Sequence, residues 1–198
     1  ETPVQVLDEP GRANTATSYM WVFRGGDPDR PVVYYRYSPN RSGDVPREVL
    51  QGYGGYLQTD AFSAYGGLEG QVRLVGCFAH VRRNFVRVIE ARGKSGKKPG
   101  SAEVALDYIR QLYALEKAAR KQELSPSEHN LFRREKAEEV LNGFKAWMDK
   151  QILLTPPKGL LGKALSYART HWPKLIRYLE DGHITPDNNA AENAIRPF

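Results

Sequence analysis

The chain has 198 residues, 40% apolar and 26% charged, with a net charge of +6. That length allows one sizeable core with room for an inserted subdomain, and no apolar run is long enough to span a membrane. The single cysteine, Cys77, excludes an internal disulfide framework; with no signal peptide visible, it fits a reducing cytoplasm.

Residues 2–7 read as a short strand. Residues 17–24 read as a second, with Tyr19, Trp21 and Phe23 alternating with Ser18, Met20 and Val22. Gly25-Gly26-Asp27-Pro28-Asp29 reads as a turn, and residues 31–37, rich in Val and Tyr, as a third strand. Three closely spaced strands predict an antiparallel meander. A short helix is expected at 45–50. Residues 54–60 then read as a buried strand ending on a carboxylate, Asp60, and residues 61–67 turn the chain. Another strand is expected at 71–78, with Val72, Leu74, Val75 and Cys77 as core positions.

From there the pattern turns helical. Residues 79–91 place Val81, Phe85, Val88 and Ile89 on one face and His80, Arg83, Asn84 and Arg87 on the other. A basic loop is expected at 93–100 and a helix at 102–122. Ser125-Pro126-Ser127-Glu128 has capping-box spacing and predicts a helix to about residue 154, broken by Pro156-Pro157. Residues 159–180 read as helical, with a kink at Pro173 and Gly182 as the C-cap. Thr185 is the expected cap of a last helix, with Pro186 in its first turn and Pro197 as its stop. On that helix Asn188, Asn189, Glu192, Asn193 and Arg196 share one side, and Ala190, Ala191, Ala194 and Ile195 the other. Strands followed by helices argue a mixed α/β or α+β fold. Three antiparallel strands, a crossover helix and two further strands are the order of a ribonuclease H-like sheet. Both chain ends fall within such patterns, so a fragment of a longer protein is expected.

Two features carry chemistry. The first is charge. Arg82, Arg83, Arg87, Arg92, Lys94, Lys97 and Lys98 stand against one acid, Glu90, while the remainder has 22 bases and 22 acids. A basic block beside a folded element is a phosphate-binding footprint or, more plainly, a solubilising face. The second is the pair Asp60 and Glu192. Bare carboxylates about 4 Å apart repel by several kcal/mol near a protein surface. A divalent cation removes that repulsion, and hard oxygen ligands suit Mg²⁺ or Mn²⁺. The plainer reading has Asp60 capping a turn and Glu192 paired with Arg196. Cys77-Phe78-Ala79-His80 has zinc-like spacing, but a second cysteine is missing, so a buried strand cysteine is the better reading. His80, at a helix N-terminus, could meet phosphate or be an ordinary satisfied side chain.

Glu1-Thr2-Pro3-Val4-Gln5-Val6-Leu7, Leu57-Gln58-Thr59-Asp60-Ala61, Gly76-Cys77-Phe78-Ala79-His80-Val81-Arg82-Arg83 and the run Asp187 to Pro197 resemble the insertion-sequence-sixty-six transposase family. The resemblance covers essentially the whole chain, with four motifs in order. It implies a bacterial DNA transposase with a ribonuclease H-like DDE domain. It places the first part of that core at residues 1–100, an all-helical insertion at 101–181, and the C-terminal catalytic helix at 182–198. Asp60 is then expected to be the second catalytic aspartate and Glu192 the catalytic glutamate, both ligating Mg²⁺ or Mn²⁺.

The family's first aspartate would lie immediately before Glu1, outside the chain. Asp8 is at the far end of the strand and Glu1 should point to the opposite sheet face, so neither replaces it. The expected N-terminal DNA-binding and zinc-binding portions also lie outside. The chain is therefore expected to be a catalytic-core fragment, inactive by itself. His80, Arg82, Arg83, Arg87, Arg92, Lys94, Lys97, Lys98, Asn188, Asn189, Asn193 and Arg196 are the expected DNA contacts. The implied partners are double-stranded DNA, at transposon ends and target, and further copies of the chain, in the bacterial cytoplasm at the nucleoid and not at a membrane. Two other readings stay open: a non-catalytic DNA-binding or assembly module, and a metal-free carboxylate-pair hydrolase of sugars.

Overall fold

The computed structural model describes residues 1–27, 30–93 and 100–197. They form a mixed α/β protein whose chain divides into two compact units, residues 1–74 with 188–198, and residues 75–187. The helix of the basic motif thus groups with the helical block, and the last helix groups with the strands.

In the first unit, β1 (Thr2–Gln5), β2 (Thr17–Asp27) and β3 (Arg30–Ser38) form the expected antiparallel meander. Thr2 lies opposite Met20, and Val22 opposite Tyr35. Of the residues 25–29 read as a turn, 25–27 instead extend β2, and 28–29 lie outside the described residues. Asp27 still pairs with Arg30, and Gly26 takes φ +85, where an added Cβ would crowd the Arg30 carbonyl. The sheet buries Trp21 completely, stacked on Phe23 and edge-on to Tyr65.

A helix, α1 (Asp44–Val49), follows. The two later strands are shorter than expected: β4 (Tyr56–Gln58) and β5 (Arg73–Val75). Glycines 54 and 55 precede the former. Gly76 leaves the latter, its N–H turning to the Lys174 carbonyl at 2.9 Å. Between them a 3-10 helix, Ser63–Leu68, brings Leu68 onto Val72, Leu74, Leu50 and Leu57. In place of one continuous five-stranded sheet, β1–β3 and β4–β5 are two separate sheets among the described residues.

The second unit is helical: α2 (Phe78–Arg92), α3 (Ser101–Lys121), α4 (Pro126–Leu153) and α5 (Leu160–Leu175). The capping box at Ser125 forms as read, with the Glu128 carboxylate accepting the Ser125 N–H at 2.9 Å. Pro173 lets α5 run two residues further before the backbone tightens into a 3-10 turn, Ile176–Leu179. Phe78, Phe144, Trp172 and Tyr178 meet edge to face in the core. Inside it lies an ion pair that periodicity does not reveal. Arg133, 1% exposed, donates to Glu116, 2% exposed, at 2.7 and 2.8 Å.

Two expectations near the C-terminus need correction. Gly182 is not a C-cap. The preceding helix has ended, and Gly182 is required because a Cβ there would overlap the Pro126 carbonyl. The last helix, α6 (Asn189–Ile195), begins later than Thr185. Thr185 donates to the Asp187 carbonyl at 2.6 Å in a turn that holds the chain out of helix for four residues.

Candidate functional site

Asp60 follows β4 in a tight turn. Its Oδ1 accepts the Phe62 N–H at 3.0 Å, while buried Thr59 accepts the Ala61 N–H at 3.3 Å. Ala61 itself sits at φ +68, a left-handed conformation that costs a residue with a Cβ about 1–2 kcal/mol. Strain of this kind, next to a carboxylate, is a common mark of a functional turn. The turn-capping role of Asp60 is therefore real.

Sequence reasoning missed what surrounds this turn. The Glu1 side chain is 3% exposed and is gripped by Arg41, whose Nε donates at 2.7 Å. The Arg41 guanidinium lies 3.7 Å over the Phe62 ring. Tyr65 is half-buried, edge-on to both Trp21 and Phe62. Burial, then the negative charges of Glu1 and Asp60, push its hydroxyl far above the ordinary tyrosine range, so it stays protonated. Glu1 and Asp60 thus act on the same hydroxyl. Strand alternation alone predicts Glu1 facing away from the site, whereas the pairing of Thr2 with Met20 turns it to the Trp21 side.

Glu192 belongs to the same compact unit as Asp60 although 132 positions separate them. It is half-buried on α6, which lies against β2. The amide-rich side is not one uniform surface: Asn188 is half-buried with Glu192, whereas Asn189, Asn193 and Arg196 are exposed. Ala190, on the opposite side, is exposed too. The Oδ1 of Asn188 is buried without a hydrogen-bond partner among the described residues.

The basic residues belong to the other unit. His80 is half-buried in the first turn of α2, one turn after buried Cys77, and Arg82, Arg83 and Arg87 are exposed along that helix. Arg92, expected to meet phosphate, is ion-paired to Glu103, which also accepts the Gly100 N–H at 2.9 Å. Lys94, Lys97 and Lys98 lie outside the described residues. The segment leading to α6 is pinned here as well. The Pro186 carbonyl accepts the Phe78 N–H at 2.9 Å, and the Asp187 carboxylate accepts the Tyr113 hydroxyl at 2.6 Å. Burial, and then Asp187, raise the Tyr113 pKa, which keeps that donor in place.

Asp60 and Glu192 offer the hard oxygens that Mg²⁺ or Mn²⁺ prefers. Among the described residues no three His, Cys, Asp or Glu side chains gather as a metal-binding group. Two carboxylates are the number and type of ligand that protein usually supplies to Mg²⁺, which keeps several waters. No helix of the described residues is long and apolar enough to cross a membrane.

A family model described as "Transposase IS66 family" matches residues 1–198. Three proteins of Sinorhizobium fredii are similar. The uncharacterized protein y4qI is 30% identical over 215 residues, covering 100% of this chain and 38% of its own length. The uncharacterized protein y4jD is 29% identical, covering 99% and 39%. The uncharacterized protein y4hP is 27% identical, covering 98% and 37%. The chain therefore spans well under half the length of these curated relatives. No solved structure matches.

Proposed function

Because the chain belongs to the transposase IS66 family, we propose that it is the catalytic part of a DNA transposase of the DDE type. It would cleave DNA at insertion-sequence ends and join the freed ends to a target. What supports this beyond membership is the grouping of Asp60 and Glu192 in one compact unit across a helical block. We read the core as ribonuclease H-like, since a β1–β3 meander followed by a helix and the β4–β5 pair is the order such a sheet needs.

Asp60 and Glu192 would hold the divalent ion through their carboxylate oxygens. The ion, when bound, lowers the pKa of an attacking hydroxyl and offsets charge on the leaving oxygen. The chain's own part is placement. The turn at Ala61 aims Asp60, and the exposed Asn189, Asn193 and Arg196 meet the DNA backbone. Asn188, half-buried beside Glu192, orients that carboxylate. His80, Arg82, Arg83 and Arg87 add phosphate affinity with little sequence preference. Hydrolysis frees a 3′-hydroxyl, and that hydroxyl then displaces a target 3′-oxygen at phosphorus. The joining step makes one phosphodiester bond for each broken, so it needs no nucleotide. The enzyme works on paired DNA ends as a homo-oligomer in the bacterial cytoplasm, at the nucleoid.

The test is nicking and strand transfer by an extended chain carrying the residues encoded upstream of Glu1, with Mg²⁺ and a duplex bearing an insertion-sequence end. Asp60→Ala and Glu192→Ala should each lower the rate more than about a hundredfold, since even changes behind a metal ligand cost about 10–100-fold. DNA binding should persist in both. Full activity in either variant would show the site assignment to be wrong. Binding with no cleavage by the unaltered extended chain would favour a non-catalytic DNA-binding or assembly module.

A further inference from the structure

Helix α6 is poorly equipped to hold itself. Its seven residues make barely two turns, none is fully buried, and no side chain caps its N-terminus. Isolated helices shorter than about 12–15 residues are marginal in water. Its last four carbonyls have no partner inside the helix and need one outside. One is supplied from the sheet: the Tyr35 hydroxyl of β3 donates to the Ala194 carbonyl at 2.8 Å. Tyr35 stands opposite Val22 of β2, the strand against which α6 lies. Ala194 is two residues after Glu192, in the same turn. Tyr35 is itself 39% exposed, so packing alone does not explain a tyrosine here.

We propose that Tyr35 is a positioning residue for Glu192: its hydroxyl ties the last turn of α6 to the sheet and so fixes where the carboxylate stands. This rests on the role given to Glu192 above. Tyr35 touches neither the DNA nor the ion in this account. Without its hydroxyl the helix frays from its C-terminal end, and Glu192 spends part of its time away from its place.

The decisive variant is Tyr35→Phe, which keeps the ring and removes the donor. In the 198-residue chain, hydrogen exchange of the α6 amides should quicken by about three- to tenfold, the range one lost hydrogen bond gives, while the thermal midpoint of the whole chain holds. In the extended chain, kcat for strand transfer should fall by a similar factor with KM for DNA unchanged, and more Mg²⁺ should be needed for half-maximal rate. Tyr35→Leu should show the same exchange change and no recovery. Unchanged α6 exchange in Tyr35→Phe overturns the proposal. So does faster exchange with kcat and the Mg²⁺ requirement unmoved while Glu192→Ala is inactive. Full activity of Glu192→Ala is a different result, and it overturns the reading of Glu192 itself.

Discussion

Replacing Glu116 by Leu tests the largest single electrostatic commitment in the helical unit. Both oxygens of Glu116 accept from Arg133, at 2.7 and 2.8 Å. The remaining nitrogen of the guanidinium donates to the Tyr178 and Asp181 carbonyls at 3.1 and 3.0 Å. The Tyr178 ring lies 5.2 Å from its centre. With Glu116 removed, two donors and a full charge stay in a site 1% exposed to water. Breaking one side of such a pair costs about 3–5 kcal/mol. Arg133→Met should cost somewhat less, because the stranded carboxylate keeps His129 Nε2 at 3.2 Å and can draw a proton onto it.

The double variant Glu116→Leu/Arg133→Met should return to within about 1 kcal/mol of the unaltered chain, since a well-packed apolar replacement restores what the desolvated pair supplies. The two changes would then be coupled by several kcal/mol. Urea unfolding followed by far-ultraviolet circular dichroism reads these differences through the midpoint at constant slope. A single-variant cost below about 1 kcal/mol, or a double variant that costs the sum of the two, would refute the reasoning.

Ala61→Gly should stabilise the first unit by about 0.5 kcal/mol: relief of the left-handed penalty of about 1–2 kcal/mol is offset by the extra freedom glycine has when unfolded. Ala61→Val should be destabilising, and tryptophan fluorescence, reporting on buried Trp21, checks both. A pH dependence follows from two histidines. Burial, aided by Arg133, holds the His129 pKa below its ordinary 6.5, and burial, aided by Lys174, does the same for His171. The unfolded chain therefore binds more protons than the folded one below that value. Stability should be full above about pH 6.5 and fall as pH drops from there toward the depressed folded values. The urea midpoint should be lower near pH 5.5 than near pH 7.5, and a flat or opposite trend would count against the two burial arguments.

Much of the local structure was legible in the chain itself. The Tyr/Trp/Phe alternation defines β2, the Ser125–Glu128 spacing starts α4, and the Val81/Phe85 stripe marks the buried side of α2. These signals are local: a side chain's neighbours one turn or one pleat away decide them. The site was legible only as residue types. Asp60 and Glu192 could be singled out, but spacing cannot say that residues so far apart share a compact unit.

The errors came where a distant atom sets the outcome. Gly182 answers to the Pro126 carbonyl, not to a helix end. Arg92 is ion-paired to Glu103, eleven residues away in the chain. Glu1 is held by Arg41, and the start of α6 is delayed by the turn that Thr185 closes. The sequence by itself determined the class of elements, their order and the family of chemistry, because propensity, periodicity and residue type act over a few residues. Tertiary structure alone decided which charges are satisfied, which helix face is covered and which backbone is strained, because hydrogen bonds and burial depend on what the folded chain brings near.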